Sequence, residues 1–200
     1  MKHGALLLFV MILCMGQLSA QSRYGIQAGF NMAHISSNDD DINEEKKAMP
    51  TWRLGLMTDF GLGKGWSFQP QLLLQGKGTG ITHQDHTDKY RFTSLDIPLA
   101  FVHTGAKGFY IGGGPNLGFN LAASEKADDG VEKLELGSGT GQLNRFDFGF
   151  DLRAGIRTKS GLAMGFNYTK GISNISNASG MRWNNNVLGF SVGYFFGEKK

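Results

Sequence analysis

From residue 24 onward, bulky apolar side chains alternate with small or polar ones in successive stretches, and that period of two confines the chain to strands. The last stretch is the clearest. Leu188, Phe190, Val192, Tyr194 and Phe196 fall on one face, with Gly189, Ser191 and Gly193 between them. Successive side chains of a strand point to opposite faces of its sheet. Here the apolar face carries the bulk, while the other is small and polar with scattered charges. A bilayer accepts such an apolar face, and a narrow closed lumen accepts such a polar one. The 30 glycines and 15 phenylalanines among 200 residues suit that arrangement. Beyond residue 20 no apolar run approaches the roughly 20 residues of a spanning helix, so any crossing is made by strands.

Eight strands are predicted, over 24–35, 51–62, 66–77, 89–103, 109–121, 144–158, 161–172 and 187–196. Their outward sets include Trp52, Leu54 and Leu56, then Leu95, Ile97 and Leu99, then Phe146, Phe148 and Phe150. Prolines inside the third and fourth strands each remove a ladder donor and call for a break in pairing. The connections alternate as well. Polar loops over 36–50, 78–88, 122–143 and 173–186 are long, whereas the turns at 63–65, 104–108 and 159–160 are short. Outer-membrane barrels sort their loops in this way, with long loops outside the cell and short turns in the periplasm. The expectation is an all-β, eight-stranded antiparallel up-and-down transmembrane β-barrel, with the first strand closing on the eighth because lipid tolerates no open edge. The alternative architecture is a soluble lipocalin-like barrel, in which Leu95, Phe148, Phe166 and Phe190 would pack together in a core.

Residues 1–20 read as a cleaved secretory signal. Lys2 and His3 form a short basic end, an apolar run follows, and Ser19-Ala20 offers a small-residue cleavage site. The only cysteine, Cys14, lies in this leader, so residues 21–200 form one barrel domain with no disulfide and no thiolate metal site. The net charge of +3 is modest, and no basic stripe with interleaved aromatics is present, so nucleic acid is not an expected partner.

Several segments then resemble a known family. They are Phe68-Gln69-Pro70-Gln71-Leu72-Leu73-Leu74-Gln75-Gly76-Lys77-Gly78, Leu95-Asp96-Ile97-Pro98-Leu99 and Tyr110-Ile111-Gly112-Gly113-Gly114-Pro115. The run 147–155, Tyr168 with Gly171-Ile172-Ser173-Asn174-Ile175, and the closing strand complete the set. In this order they resemble the PorT-like outer-membrane β-barrel family across nearly the whole chain after the leader. The resemblance implies an outer-membrane barrel. One relative assists a protein secretion system, so envelope or secretion-system proteins are implied partners, beside the lipid of the outer membrane.

The predicted inward face carries Arg53, Lys77, Arg153 and Arg157 with Asp59, Asp96, Asp147 and Asp151. The lumen of an eight-stranded barrel is only wide enough for its own side chains. Charges there must pair, because an isolated ion in a low dielectric is costly. The expected arrangement is a salt-bridge plug; the alternative is a narrow gated passage. Asp147 and Asp151 resemble a carboxylate pair, but Arg153 beside them favours ion pairing. His83 and His86, with Asp85 and Asp88, form a weak candidate metal set in a loop. Trp52, Trp66, Tyr24, Tyr110, Tyr168 and Trp183 are candidates for the rims, with Tyr110 inward by parity. Gly112-Gly113-Gly114 lacks the Lys-Ser/Thr and the helix of a phosphate loop, and no cofactor is expected. Ser173 and Ser176 are loop serines without a readable His and acid grouping, so the chain is not expected to be an enzyme. The functional expectation is a non-enzymatic outer-membrane barrel with a filled polar lumen whose long loops meet partners. The alternatives are a narrow pore or transport accessory, and a lipid-modifying barrel enzyme.

Overall fold

Each alternating stretch leaves an extended backbone whose N–H and C=O groups need a neighbouring strand. A computed structural model describes residues 22–38, 46–82, 87–127 and 130–197. The strands are β1 (Ser22–Ser37), β2 (Lys46–Lys47), β3 (Met49–Gly63), β4 (Trp66–Thr82), β5 (Thr87–Thr104), β6 (Phe109–Ala127), β7 (Gly130–Leu134), β8 (Phe146–Arg157), β9 (Leu162–Gly171) and β10 (Trp183–Phe196). Eight of them form a ring of antiparallel neighbours in the order β1-β3-β4-β5-β6-β8-β9-β10, and β10 returns to β1. The closing ladder runs from Tyr24 opposite Phe196 to Ser37 opposite Trp183. A closed ring leaves no unpaired edge at the level of the bilayer. The short β2 and β7 lie outside the ring, on β4 and β6 respectively.

The two faces divide as the alternation requires. Phe30, Leu54, Phe148, Phe166 and Leu188 are all about half exposed or more on the outer wall. Neighbouring rings form a lateral ladder there, Phe30 to Phe190 at 5.7 Å and Phe166 to Phe190 at 5.1 Å. Asp59, Asp96, Asp147 and Asp151, with Arg23, Arg53, Arg153 and Arg157, are buried on the inner wall. The lipocalin-like alternative, which needs the reverse, is thereby set aside.

The short turns lie where expected. Lys64 and Gly65 have φ of 51° and 81°, the left-handed pair that joins twisted hairpin strands most tightly. Prolines sit at gaps in pairing. Between β4 and β5 the ladder passes from Pro70–Leu99 to Leu73–Asp96, and so skips Pro98.

Three expectations are corrected. Strand continues into the loops expected over 78–88 and 122–143, because β4, β5 and β6 run on past the apolar wall to Thr82, Thr87 and Ala127 and β7 follows β6. Sequence alternation fades there since neither face meets lipid, yet the ladder continues. Similarly, β10 begins at Trp183 within the loop expected over 173–186. Trp183 is not at a rim facing lipid but only 8% exposed, in an apolar cluster with Ile35, Phe92, Ala123, Leu143 and Ile175. This cluster lies at the long-loop end of the lumen. The segments after β7 and β9 are stitched across it, with Asn144 N–H donating to Ile175 C=O at 2.8 Å and Ile175 N–H to Trp183 C=O at 2.9 Å. Above the apolar wall, Tyr90 packs edge-on against Trp183 at 5.3 Å. Burial and its hydrogen bond to Glu125 push the Tyr90 phenol above its usual range.

Candidate functional site

Inward parity on eight strands delivers a column of polar side chains, and its members bond across the lumen in layers. At the short-turn end, Asp59 Oδ2 on β3 accepts from Arg23 Nη2 at 2.5 Å and from Arg157 Nη1 at 2.6 Å. Gln69 Nε2 donates to Asp59 Oδ1 at 3.2 Å. β3 and β8 are four places apart in the ring, so the Asp59–Arg157 pair spans the barrel. The Phe195 ring lies 4.4 Å from the Arg157 guanidinium carbon and 5.2 Å from that of Arg23. Cations favour that face of an aromatic ring.

In the middle, Arg153 donates twice to Asp151 Oδ1, from Nε at 2.8 Å and Nη2 at 2.5 Å. Thr169 Oγ1 donates to Asp151 Oδ2 at 3.1 Å. Arg53 Nη1 donates to the Asn167 amide oxygen across the lumen. Glycine at position 189 makes room for that contact, since a Cβ there would collide with both Arg53 and Asn167. Gln27 Nε2 donates to Gln71 Oε1 at 2.9 Å. Tyr110 faces inward, with its ring 5.9 Å from the Arg157 guanidinium carbon.

Toward the long-loop end, Lys77 Nζ lies 2.9 Å from Asp96 Oδ2 and 3.0 Å from Asp147 Oδ2, joining β4, β5 and β8. Asp96 also accepts from Ser94 at 2.6 Å, Asn116 at 2.9 Å and Gln75 at 3.0 Å. Asp147 also accepts from Asn185 at 2.8 Å and Ser173 at 3.0 Å. The apolar cluster stands above this layer.

All eight inward charges named from the sequence are therefore buried in the lumen. They fall into separate groups. Asp147 and Asp151 are not a carboxylate pair, because one goes to Lys77 and the other to Arg153. Arg53 makes no ion pair among the described residues. Arg23 and Phe195 were missed, although their parity with Gly25 and Gly193 places both inward. Ser173 serves the Asp147 layer, and Ser176 accepts from the Ala178 N–H at 3.2 Å. Neither bonds a histidine among the described residues. His103 stacks beside Trp66 with centroids 5.0 Å apart. His83, His86 and the leader 1–20 with its cysteine lie outside the described residues.

A family model described as "Outer membrane protein beta-barrel domain" matches residues 16–177. The chain belongs to this outer-membrane β-barrel family. Its place is the bacterial outer membrane, and the half-exposed Phe and Leu wall is its lipid-facing surface. Among solved structures, Neisserial surface protein A resembles it with a TM-score of 0.51 at 12% identity, covering 86% of this chain and 97% of that one. OprG from Pseudomonas aeruginosa aligns at a TM-score of 0.43 and 16% identity, covering 88% and 96%. Ail of Yersinia pestis aligns at 0.42 and 11%, covering 87% and 99%. No curated protein matches the sequence. The first of these likenesses supports the fold alone.

Proposed function

We propose that this family member is a closed, non-enzymatic scaffold that fixes its long-loop end outside the cell as a surface for envelope or secretion-system proteins. The observation that carries this reading is the wall-to-wall bonding of the lumen beneath an apolar plug. A passage would have to break the Asp59–Arg157 and Lys77–Asp147 pairs and part the Trp183 cluster. Beyond the plug, the extended β4–β5 hairpin and the β6–β7 hairpin carry polar and charged side chains, with Val131 at 67% exposed. Rigid presentation of such surfaces is a role that a filled barrel can serve without moving. The motif order from Phe68 to Phe196 supports a PorT-like member, and residues 1–20 fit a leader removed on export.

The test combines conductance with cross-linking. In planar bilayers the protein gives no steady single-channel current; a steady current would overturn the closed reading. A photo-reactive residue at position 131 captures a protein partner on intact cells, and capture only by variants labelled on the lipid-facing wall would overturn the loop assignment.

A further inference from the structure

The lower lumen holds more positive charge than its carboxylates neutralise. Between the short-turn mouth and the Lys77 layer lie Arg23, Arg53, Arg153 and Arg157 against Asp59 and Asp151. We propose that a small monovalent anion of the halide class occupies the cavity bounded by Arg53, Arg153 and Arg157. This cavity measures about 30 Å3. That is room for one or two particles of water size, and too little for a phosphate ester or an organic acid. Among the described residues its wall contains no carboxylate.

The three arginines are 4%, 7% and 8% exposed, so each is more than nine-tenths buried. Each also keeps a guanidinium nitrogen with no acceptor among the described residues: Arg53 Nε, Arg153 Nη1 and Arg157 Nε. Those three nitrogens are almost fully enclosed, so the deficit that the cavity can answer is the charge. An anion in the cavity offsets it, and an unpaired buried charge is costly. The Lys77 layer carries the opposite surplus, two aspartates to one lysine, but five neutral side-chain donors serve those carboxylates. Access is from the short-turn end. Arg157 also lines two wider cavities there, of about 220 and 770 Å3, with Arg23, Lys107 and Lys159 at their walls. Asp59 lines the smaller one and is already held by Arg23 and Arg157. A basic mouth of this kind concentrates anions before they enter.

The experiment follows thermal unfolding of the full barrel in detergent, read by heat-modifiable gel mobility. Sodium chloride or bromide is titrated against sodium gluconate at fixed ionic strength. Halide raises the midpoint saturably and gluconate does not. Arg53→Gln leaves every carboxylate pair in place and weakens the halide effect by at least about tenfold, the loss expected for one charge-assisted hydrogen bond. Asp151→Asn enlarges the surplus and strengthens the effect. Crystals grown in bromide show an anomalous peak beside Arg53, a readout that stands if either variant fails to fold. Equal unfolding in chloride and gluconate, an unchanged halide effect in Arg53→Gln, or an empty cavity in bromide would each overturn the assignment.

Discussion

Lys77 is 1% exposed and holds two buried aspartates at 2.9 and 3.0 Å, so its removal is the sharpest test of the lumen as a bonded solid. Lys77→Met keeps the length of the side chain and deletes the charge. Asp96 keeps three neutral donors and Asp147 keeps two, but among the described residues neither retains a cation within bonding distance. Breaking a buried pair by removing one partner costs about 3–5 kcal/mol, chiefly through the uncompensated charge left behind. The same loss is expected here, a large fraction of a typical folding stability of about 5–15 kcal/mol. The assay is reversible urea unfolding of the barrel in lipid vesicles, followed by tryptophan fluorescence. The triple variant Lys77→Met, Asp96→Asn, Asp147→Asn removes all three charges, and buried charge groups replaced together by neutral ones are often tolerated. It is expected to recover most of the stability lost by the single variant. A loss below about 1 kcal/mol for Lys77→Met, the value of a solvent-exposed pair, would show that water screens this layer. A triple variant no better than the single one would show that the damage lies in packing, not charge.

The other expectations concern the wall, the close contacts and the plug. Phe166→Arg places a cation on the lipid-facing wall and should cost about 2–4 kcal/mol near the bilayer midplane, measured by the same urea titration. Gly189→Ala forces a Cβ against Arg53 and Asn167 and should cost about 1–3 kcal/mol, whereas Ala28→Val on the outer wall should change stability little. Trp183→Ala empties the centre of the apolar plug at about 3–5 kcal/mol, and limited proteolysis should then cut between residues 135 and 145 with the barrel intact. Trp52 and Trp66, both about half exposed on the outer wall, should be quenched by brominated lipid, and Trp183 should not.

How far the sequence carried this architecture depends on what each part needs to know. Facing is a local property. Parity alone separates Leu95 from Asp96 and Phe148 from Asp147, because a strand has only two faces. Pairing across the lumen is not local. Lys77 meets Asp147 at a sequence distance of 70, and Arg157 meets Asp59 at 98, through a registry that only ring closure sets. Parity also has a weak point where pairing slips. Between β5 and β6, Thr93 pairs with Ala122 and Ser94 with Asn120, so Leu121 is left over. Both Leu121 and Ala122 then face outward, and Ala123 turns into the plug. An extra residue of this kind, a bulge, reverses the facing of everything beyond it.

The plug shows the same limit in another form. Tyr90, Phe92, Leu143, Ile175 and Trp183 come from β5, β10 and the segments following β7 and β9, and no one of these displays an apolar period long enough to announce a core. A cluster assembled from single residues on several segments has no sequence signature, although Tyr90, Phe92 and Trp183 obey the parity of their own strands. The two ends of the lumen consequently differ in kind. At the long-loop end the Lys77 layer lies beneath an apolar cluster that excludes water, so its surplus carboxylate charge must be answered by fixed neutral donors, and five are present. At the short-turn end Arg23 and Arg157 line wide cavities at a basic mouth, so surplus guanidinium charge there can be answered by ions that come and go. A fold that seals one end and leaves the other hydrated can therefore tolerate an unbalanced column of charge, provided that the excess lies toward the hydrated end.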